Sequence, residues 1–303
     1  MTTAIRGQKY MKILITGAQG QLGRELTAQG QLRGFRVQAP SEDALDITDL
    51  EKVDGIIALH QPDLVINAAA YTQVDKAESE AAIAFKVNKT GCTHLARICT
   101  KNQIPLVHIS TDYVFDGQKG TPYVETDSIS PLGVYGRSKA EGEIEIRSIL
   151  KEHIILRTSW LYGIYGQNFV KTMLNLATSK QKIRVVSDQY GSPTNAADLA
   201  QAILTISERL HSDSDIDWGT YHYCGRGVIS WHTFAQKIMD LARLYGANRT
   251  AQVESVATSD YPTRVVRPAY SALDCGRISK HFGLDPQPWQ KSLEITIRKL
   301  LAT

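Results

Sequence analysis

The amino-acid sequence predicts an α/β fold, a doubly wound parallel sheet with a smaller mixed α/β region towards the carboxyl terminus. Short apolar runs alternate with longer segments of helical periodicity over most of the chain. A glycine-rich turn follows the first of these runs directly, between residues 17 and 23. Small or polar residues end the later runs, at the edge where parallel sheets bind ligands.

Each predicted strand is a short apolar run, rich in β-branched residues and followed by small or polar ones. The predicted strands are residues 12–16, 35–39, 63–67, 105–109, 153–157, 183–187 and 221–223. The segments between them show helical spacing and supply the crossovers that parallel strands require. The first two predicted helices end near residues 31 and 60. The four that follow span about 80–101, 135–150, 167–179 and 196–210.

The turn Gly17-x-x-Gly20-x-x-Gly23 predicts a dinucleotide site. Its glycines allow a sharp turn, close approach of the backbone to a ligand, and tight packing of the helix on the strand. The free N–H groups of the helix that follows would face a pyrophosphate. The motif carries weight here because it directly follows the first strand.

The second predicted strand ends in Gln38-Ala39-Pro40-Ser41, without the carboxylate that often binds a ribose 2′-hydroxyl. Its absence removes a repulsion against a 2′-phosphate, and Arg24, Arg33 and Arg36 are near enough in sequence to supply positive charge. We therefore favour NADPH as the cofactor, with NADH as the alternative. The same arginines are also compatible with an ordinary charged surface.

Tyr135 and Lys139 are four residues apart and therefore lie one turn apart on one helix face. A neighbouring ammonium stabilises a phenolate, so we expect Lys139 to lower the pKa of Tyr135 towards neutrality. The same spacing is common on solvated helices, and its meaning depends on the nucleotide motif before it.

Composition places the chain among ordinary globular proteins, with 43% hydrophobic residues and a net charge of +3. We expect no nucleic-acid partner and no membrane span. The four cysteines show no metal-ligand spacing, and we expect reduced thiols, no metal site and a cytoplasmic location. Residues 1–10 lack the apolar centre of a secretory signal, and we expect them to be a disordered extension.

The chain resembles the extended short-chain dehydrogenase/reductases in the glycine turn, in Asn67-Ala68-Ala69, at Thr111 and in Tyr135-x-x-x-Lys139. Longer strings resemble the dTDP-4-dehydrorhamnose reductases within that superfamily, and the resemblance covers residues 11–301. Those strings are Ala68-Ala69-Ala70-Tyr71-Thr72-Gln73-Val74-Asp75-Lys76-Ala77-Glu78, Ser110-Thr111-Asp112-Tyr113-Val114-Phe115, Arg157-Thr158-Ser159-Trp160 and Asp188-Gln189-Tyr190-Gly191-Ser192-Pro193-Thr194.

The resemblance implies reduction of the C4 keto group of dTDP-4-dehydro-L-rhamnose by NAD(P)H, the last step of dTDP-rhamnose biosynthesis. It implies Thr111, Tyr135 and Lys139 as catalytic residues, with Tyr135 and Lys139 also touching the cofactor. The other implied cofactor-binding residues are Gly17, Gln19, Gly20, Gln21, Leu22, Gly23, Asp46, Ile47, Ala68, Ala69 and Ala70. The implied substrate-binding residues are Thr72, Val74, Thr111, Tyr113, Trp160 and Arg267, where Arg267 is equally compatible with a surface salt bridge.

The resemblance also sets expectations for domains and partners. Residues 11–160, with 195–223 returning to them, would form the NAD(P)-binding Rossmann domain, and 161–194 with 224–303 would bind the substrate. A dTDP-sugar and a second copy of the chain, forming a homodimer, are the expected partners. Some family members use Mg²⁺ at a dimer contact, where Glu25 and Asp198 fall near matching positions, but the sequence shows no ligand cluster.

Three alternatives remain open. Sugar-nucleotide 4,6-dehydratases place Asp and Glu after the Thr, whereas Tyr113 follows Asp112 here, which disfavours dehydration. Another nucleotide-sugar 4-ketoreductase or an epimerase of the same superfamily would share these motifs. A non-catalytic NADP-binding regulatory subunit is the third, although such proteins tend to lose the Tyr-Lys pair.

Overall fold

The structure is a computed structural model that describes residues 10–213, 215–261 and 263–302. The expectation for residues 1–10 therefore lies outside the described residues except at Tyr10, which is exposed. The strands are β1 Lys12–Thr16, β2 Arg36–Gln38, β3 Leu64–Asn67, β4 Leu106–Thr111, β5 His153–Thr158, β6 Leu161–Tyr162, β7 Lys182–Val186, β8 Tyr190–Gly191, β9 Thr194–Asn195, β10 Gly219–His222, β11 Ile229–Ser230 and β12 Gln252–Val256.

The α-helices are α1 Gln21–Leu32, α2 Leu50–His60, α3 Val74–Ala77, α4 Ala81–Phe85, α5 Gly91–Asn102, α6 Val134–Ile149, α7 Phe169–Ser179, α8 Ala196–Ser212, α9 Trp231–Leu244, α10 Gly276–Phe282 and α11 Trp289–Leu301. A π-helical turn, Lys86–Thr90, joins α4 to α5, and short 3₁₀ turns cover Asp112–Val114 and Thr258–Asp260. The single helix expected over 80–101 is thus interrupted by the π turn.

A six-stranded parallel sheet forms the centre of the fold, in the order β10-β5-β4-β3-β1-β2. The order reverses after β1, so the chain winds helices onto both faces. One face packs on α1 and α8, and the other on α2, α5 and α6. The strands β1, β3, β4 and β5 are almost entirely buried, which explains why they appear in the sequence as apolar runs, whereas the edge strand β2 exposes Arg36 and Gln38. The predicted doubly wound sheet is confirmed.

A second core lies beyond the sheet, where β7 pairs with β12 in parallel and α7, α9 and α11 pack around them. Aromatic residues dominate its edge, where the Phe234 ring contacts the rings of both Phe169 and Trp289. The strand β10 pairs with β5 and extends the main sheet. This pairing is what we expect if residues 195–223 return to the domain formed by residues 11–160. The division into cofactor and substrate domains stays a prediction.

Candidate active site

The glycine turn after β1 forms the floor of a cleft. Gly17 has a φ of +65°, and a Cβ there would lie 2.5 Å from the Ala69 nitrogen. A Cβ on Gly23 would lie 2.2 Å from the Gly17 carbonyl oxygen, so α1 packs on the turn as closely as backbone allows. No side chain caps the amino end of α1 at Gly20. These first N–H groups are the donors that helix starts offer to phosphates.

The cleft above this turn has a volume of about 1010 Å³. Among the predicted cofactor residues, those that line it are Gly17, Gln19, Gly20, Asp46, Ile47, Ala68, Ala69 and Ala70. Leu22 and Gly23 are buried behind the turn, and Gln21 accepts a hydrogen bond from Asn168. A cleft with this glycine floor, which any Cβ would obstruct, fits a dinucleotide.

Asp46 and Asn67 shape the two walls of the cleft. Burial opposes ionisation of Asp46, but hydrogen bonds from Thr48 outweigh it and lower the pKa of the Asp46 carboxyl. A carboxylate therefore lines this wall of the cleft. Asn67 Oδ1 accepts from Thr16 Oγ1 at 2.7 Å and from the Ala69 nitrogen at 3.1 Å. This buried amide fixes the backbone of the alanine run.

Thr111, Tyr135 and Lys139 lie together where β4 ends and α6 begins. The Thr111 hydroxyl accepts from the Tyr113 nitrogen at 3.2 Å, and the Tyr113 ring packs edge-on against Tyr135. Helix α6 reaches this turn because residue 136 is glycine: a Cβ there would lie 2.2 Å from the Tyr113 carbonyl oxygen. A hydroxyl and a phenol brought to one turn can bind one carbonyl oxygen between them.

The sugar-site candidates fall into two groups. Tyr113 stacks edge-on against Tyr135 at 5.7 Å between ring centroids, and the positive charge of Arg267 partly opposes the rise in the pKa of Tyr113 that burial causes. Arg267 forms an ion pair with Asp75 at 2.8 Å, and Thr72 and Val74 lie just before Asp75 in the chain. Trp160 belongs to the second group, where its ring stacks on Trp231 at 3.5 Å.

Comparison with known proteins identifies the family. A family model described as the RmlD substrate binding domain matches residues 11–302. The chain is 44% identical to a dTDP-4-dehydrorhamnose reductase of Aggregatibacter actinomycetemcomitans, over 93% of this chain and 97% of the relative. The chain belongs to the dTDP-4-dehydrorhamnose reductase family. The predicted family and oxidoreductase class are confirmed.

Solved structures of dTDP-4-dehydrorhamnose reductases share the whole fold. One from Clostridium acetobutylicum superposes with a TM-score of 0.90 at 38% identity, covering 97% of this chain and 100% of that one. One from Bacillus anthracis, solved in complex with NADP, has a TM-score of 0.88 at 36% identity and covers 96% and 99% of the two chains. In the described part of this reductase-family chain, every helix is too short or too polar to cross a membrane.

The expected effect of Lys139 on Tyr135 is wrong in this structure. Burial raises the pKa of Tyr135, and the Thr111 hydrogen bond offsets this only in part. The Lys139 ammonium is itself buried, donates to the Ile109 carbonyl oxygen at 2.6 Å and lies 3.2 Å from His108 Nε2. Lys139 thus anchors α6 to β4, and desolvation of the phenol determines the direction of the shift.

Sequence reasoning missed the residues that hold α6 in place. Glu143 forms a buried ion pair with Arg157 at 2.7 Å and accepts from Ser110 at 2.6 Å. Asn88 in the π turn accepts a hydrogen bond from the Tyr71 nitrogen and donates one to the Tyr71 carbonyl oxygen. It also donates to the Ser138 hydroxyl at 2.9 Å. A π turn often marks a functional site, but the sequence around Asn88 reads as continuous helix.

Glu25 and Asp198, named for Mg²⁺, line one small cavity behind α1. Glu25 accepts from Gln29, and Asp198 accepts from Ser292. Within the described ranges, no group of three acidic, His or Cys side chains is arranged to hold a metal. The chain itself therefore offers two carboxyls here, both already engaged.

Proposed function

We propose that the protein reduces the C4 keto group of dTDP-4-dehydro-L-rhamnose to dTDP-L-rhamnose with NADPH. The observation that supports this best is the junction of β4 with α6, where Lys139 donates to the Ile109 carbonyl oxygen at 2.6 Å and Tyr135 packs edge-on against Tyr113, two residues after Thr111. The bound cofactor supplies the hydride. The residues that would hold it are the glycine turn, Asp46 with Ile47, Ala68 to Ala70, and Lys139 at the nicotinamide ribose.

Tyr135 is the general acid of the proposal. Because burial raises its pKa, the phenol stays protonated at neutral pH and has a proton to give. Hydride addition to a ketone develops alkoxide charge on the carbonyl oxygen, and Tyr135 protonates that oxygen. The Thr111 hydroxyl binds the same oxygen and orients the carbonyl group.

Arg267 and Tyr113 supply the proposed contacts to the rest of the substrate. The guanidinium is half-buried, and its geometry suits a diphosphate. Asp75 holds one edge of it, which fixes its direction before the substrate arrives. Thr72, Val74 and Trp160 complete the proposed sugar site.

We assign the preference for NADPH to Arg24. It lies beside the end of β2 in a hollow of about 740 Å³ that adjoins the cleft, stacked over Tyr165 at 5.7 Å. Arg33 is bound to Glu208 instead, and Arg36 lies exposed on β2. Of the three arginines named from the sequence, we therefore propose Arg24 as the partner of a 2′-phosphate.

The test mixes the protein with NADPH and enzymatically prepared dTDP-4-dehydrorhamnose. We expect stoichiometric loss of the reduced-nicotinamide absorbance and a product with the configuration of dTDP-L-rhamnose by NMR. Consumption of a different keto-sugar would move the assignment to another 4-ketoreductase. Isomerisation without net oxidation of NADPH would indicate an epimerase. Cofactor binding without turnover would indicate a regulatory subunit.

The homodimer and the cytoplasmic location remain predictions, and Mg²⁺ carries no step in the proposal. Sedimentation of the purified protein, with and without a chelator, measures its oligomeric state and any dependence on a divalent ion. A monomer that turns over at full rate would remove the dimer from the proposal.

A further inference from the structure

Two cysteines far apart in the sequence meet beside the active-site turn. The Sγ atoms of Cys224 and Cys275 lie 3.6 Å apart, although 51 residues separate them along the chain. Cys224 follows β10 and is buried, whereas Cys275 precedes α10 and is half-buried. Both line a surface hollow of about 340 Å³, from which a small reagent can reach the half-buried Cys275.

The pair differs chemically from the other two cysteines. A hydrogen bond between the two thiols lowers the pKa of Cys224 and raises the pKa of Cys275, as expected when two sulfurs share one proton. Cys92 and Cys99 are buried on α5, where burial raises the pKa values of their thiols to about 11 and about 12. The thiolate is the reactive form, so the pair is the expected place of reaction.

We propose that Cys224 and Cys275 form a dithiol modification site that closes to an intramolecular disulfide on exchange with a small-molecule disulfide. The thiolate of the pair attacks one sulfur of the reagent, whose S–S bond breaks and releases one thiolate. The second cysteine then loses its proton to solvent and attacks the mixed disulfide, which releases the other thiolate. Two protein thiols are oxidised and one small disulfide is reduced to two thiols.

The geometry makes closure a local event. The sulfurs must approach from 3.6 Å to about 2 Å, which side-chain rotations of two facing cysteines can provide. The bond would join the segment after β10 to the segment before α10. Both cysteines pack in the cluster that contains Val114 and Phe115, which follow Thr111 closely in the chain. The inference is independent of the sugar substrate.

The test uses the full chain, reduced and desalted, and then incubated with oxidised glutathione under native conditions. We expect an intact mass lower by about two mass units, from the loss of two hydrogens. Peptide mapping should place the new bond between Cys224 and Cys275. Cys99→Ser should behave as the parent. Cys275→Ser should stop at a glutathione adduct or fail to react.

A second probe keeps the test decisive if a variant folds poorly. Phenylarsine oxide bridges two neighbouring thiols, and we expect one equivalent bound by the parent and by Cys99→Ser, and none by Cys224→Ser or Cys275→Ser. A glutathione adduct that persists on the parent chain would overturn the proposal. So would a native protein that reacts with neither reagent while its unfolded form shows all four thiols.

Discussion

Asp112 is predicted to make the protein less stable as the pH rises from about 4 to about 7. Its side chain is only 2% exposed. Oδ1 accepts from the Thr111 hydroxyl at 3.1 Å, while Oδ2 has no hydrogen-bond partner among the described residues. Burial raises the pKa of this carboxyl to about 7, and hydrogen bonds from Ser271 and Thr111 reduce the shift only in part. The group is therefore protonated in the folded chain over a range where it ionises in the unfolded chain.

The size of the effect follows from the two pKa values. An unfolded Asp has a pKa of about 3.9, so between about pH 4 and pH 7 the folded state binds more protons than the unfolded state. Stability then falls with rising pH by about 1.4 kcal/mol per unit. Over the window from pH 5 to pH 8 the loss is about 3 kcal/mol, because the slope vanishes above the folded pKa. A raised pKa at an Asp thus makes stability fall with rising pH, whereas a salt-bridged carboxylate, whose pKa is lowered, makes stability rise with pH.

The assay is urea unfolding of the parent and of Asp112→Asn at pH 5 and pH 8. The amide is close in shape and cannot titrate, so the parent should lose about 3 kcal/mol more than the variant between the two pH values. Asp54→Asn, at a carboxylate whose side chain is 42% exposed, serves as the matched control and should track the parent. Parallel curves for the parent and Asp112→Asn, within about 1 kcal/mol, would refute a buried neutral Asp112.

Three further changes test the site. Tyr135→Phe should lower kcat by a factor of about 10² or more, in line with general acid catalysis, while NADPH binding measured by fluorescence stays unchanged. Arg24→Ala should weaken NADPH binding about tenfold and leave NADH binding unaffected, because only the 2′-phosphate loses a charge-assisted hydrogen bond. Gly136→Ala should cost about 2 kcal/mol in urea unfolding, since its Cβ would meet a backbone oxygen at 2.2 Å.

Each of these changes has a matched control in the same chain. Tyr245→Phe removes a phenol that bonds Glu294 on the far helices and should keep full turnover. Arg33→Ala removes a cation bound to Glu208 and should leave both cofactor affinities unchanged. Gly55→Ala adds a methyl group to open space on α2 and should stabilise by up to about 1 kcal/mol. Normal kcat in the Tyr135 variant, equal losses for both cofactors, or an unperturbed Gly136 variant would each contradict its prediction.

The elements that the sequence specifies locally were predicted well. The strands β1, β3, β4 and β5 are buried on both faces, and this burial is what makes their sequences continuous apolar runs. The glycine turn was predictable because Gly17 and Gly23 occupy positions where a Cβ would overlap backbone. Such constraints act within a few residues or between adjacent elements, so their residue types appear in order along the chain.

The features that failed depend on contacts across the sheet. The place of the Lys139 ammonium is set by the Ile109 carbonyl on β4, thirty residues earlier in the chain. A further feature that the sequence did not predict is the left-handed backbone of Trp160, with a φ of +48°; its indole packs on Gly191, where any Cβ would lie 2.5 Å from the ring. Spacing along one helix or one strand contains no information on either contact.

The protonation states of the site are consistent with the direction of the proposed reaction. A reductase needs a donor that keeps its proton until alkoxide charge develops, and desolvation of Tyr135 provides that state without a neighbouring cation. Asp112, neutral in the same buried turn, can donate to Thr111 Oγ1 in place of accepting from it, which leaves the Thr111 hydrogen free for the substrate oxygen. Above its pKa of about 7, the ionised Asp112 carboxylate would again accept the hydrogen bond from the Thr111 hydroxyl. We therefore expect kcat for reduction to decrease above neutral pH in the parent but not in Asp112→Asn. A parent kcat that does not change between pH 6 and pH 9 would show that Asp112 ionisation does not affect the reaction.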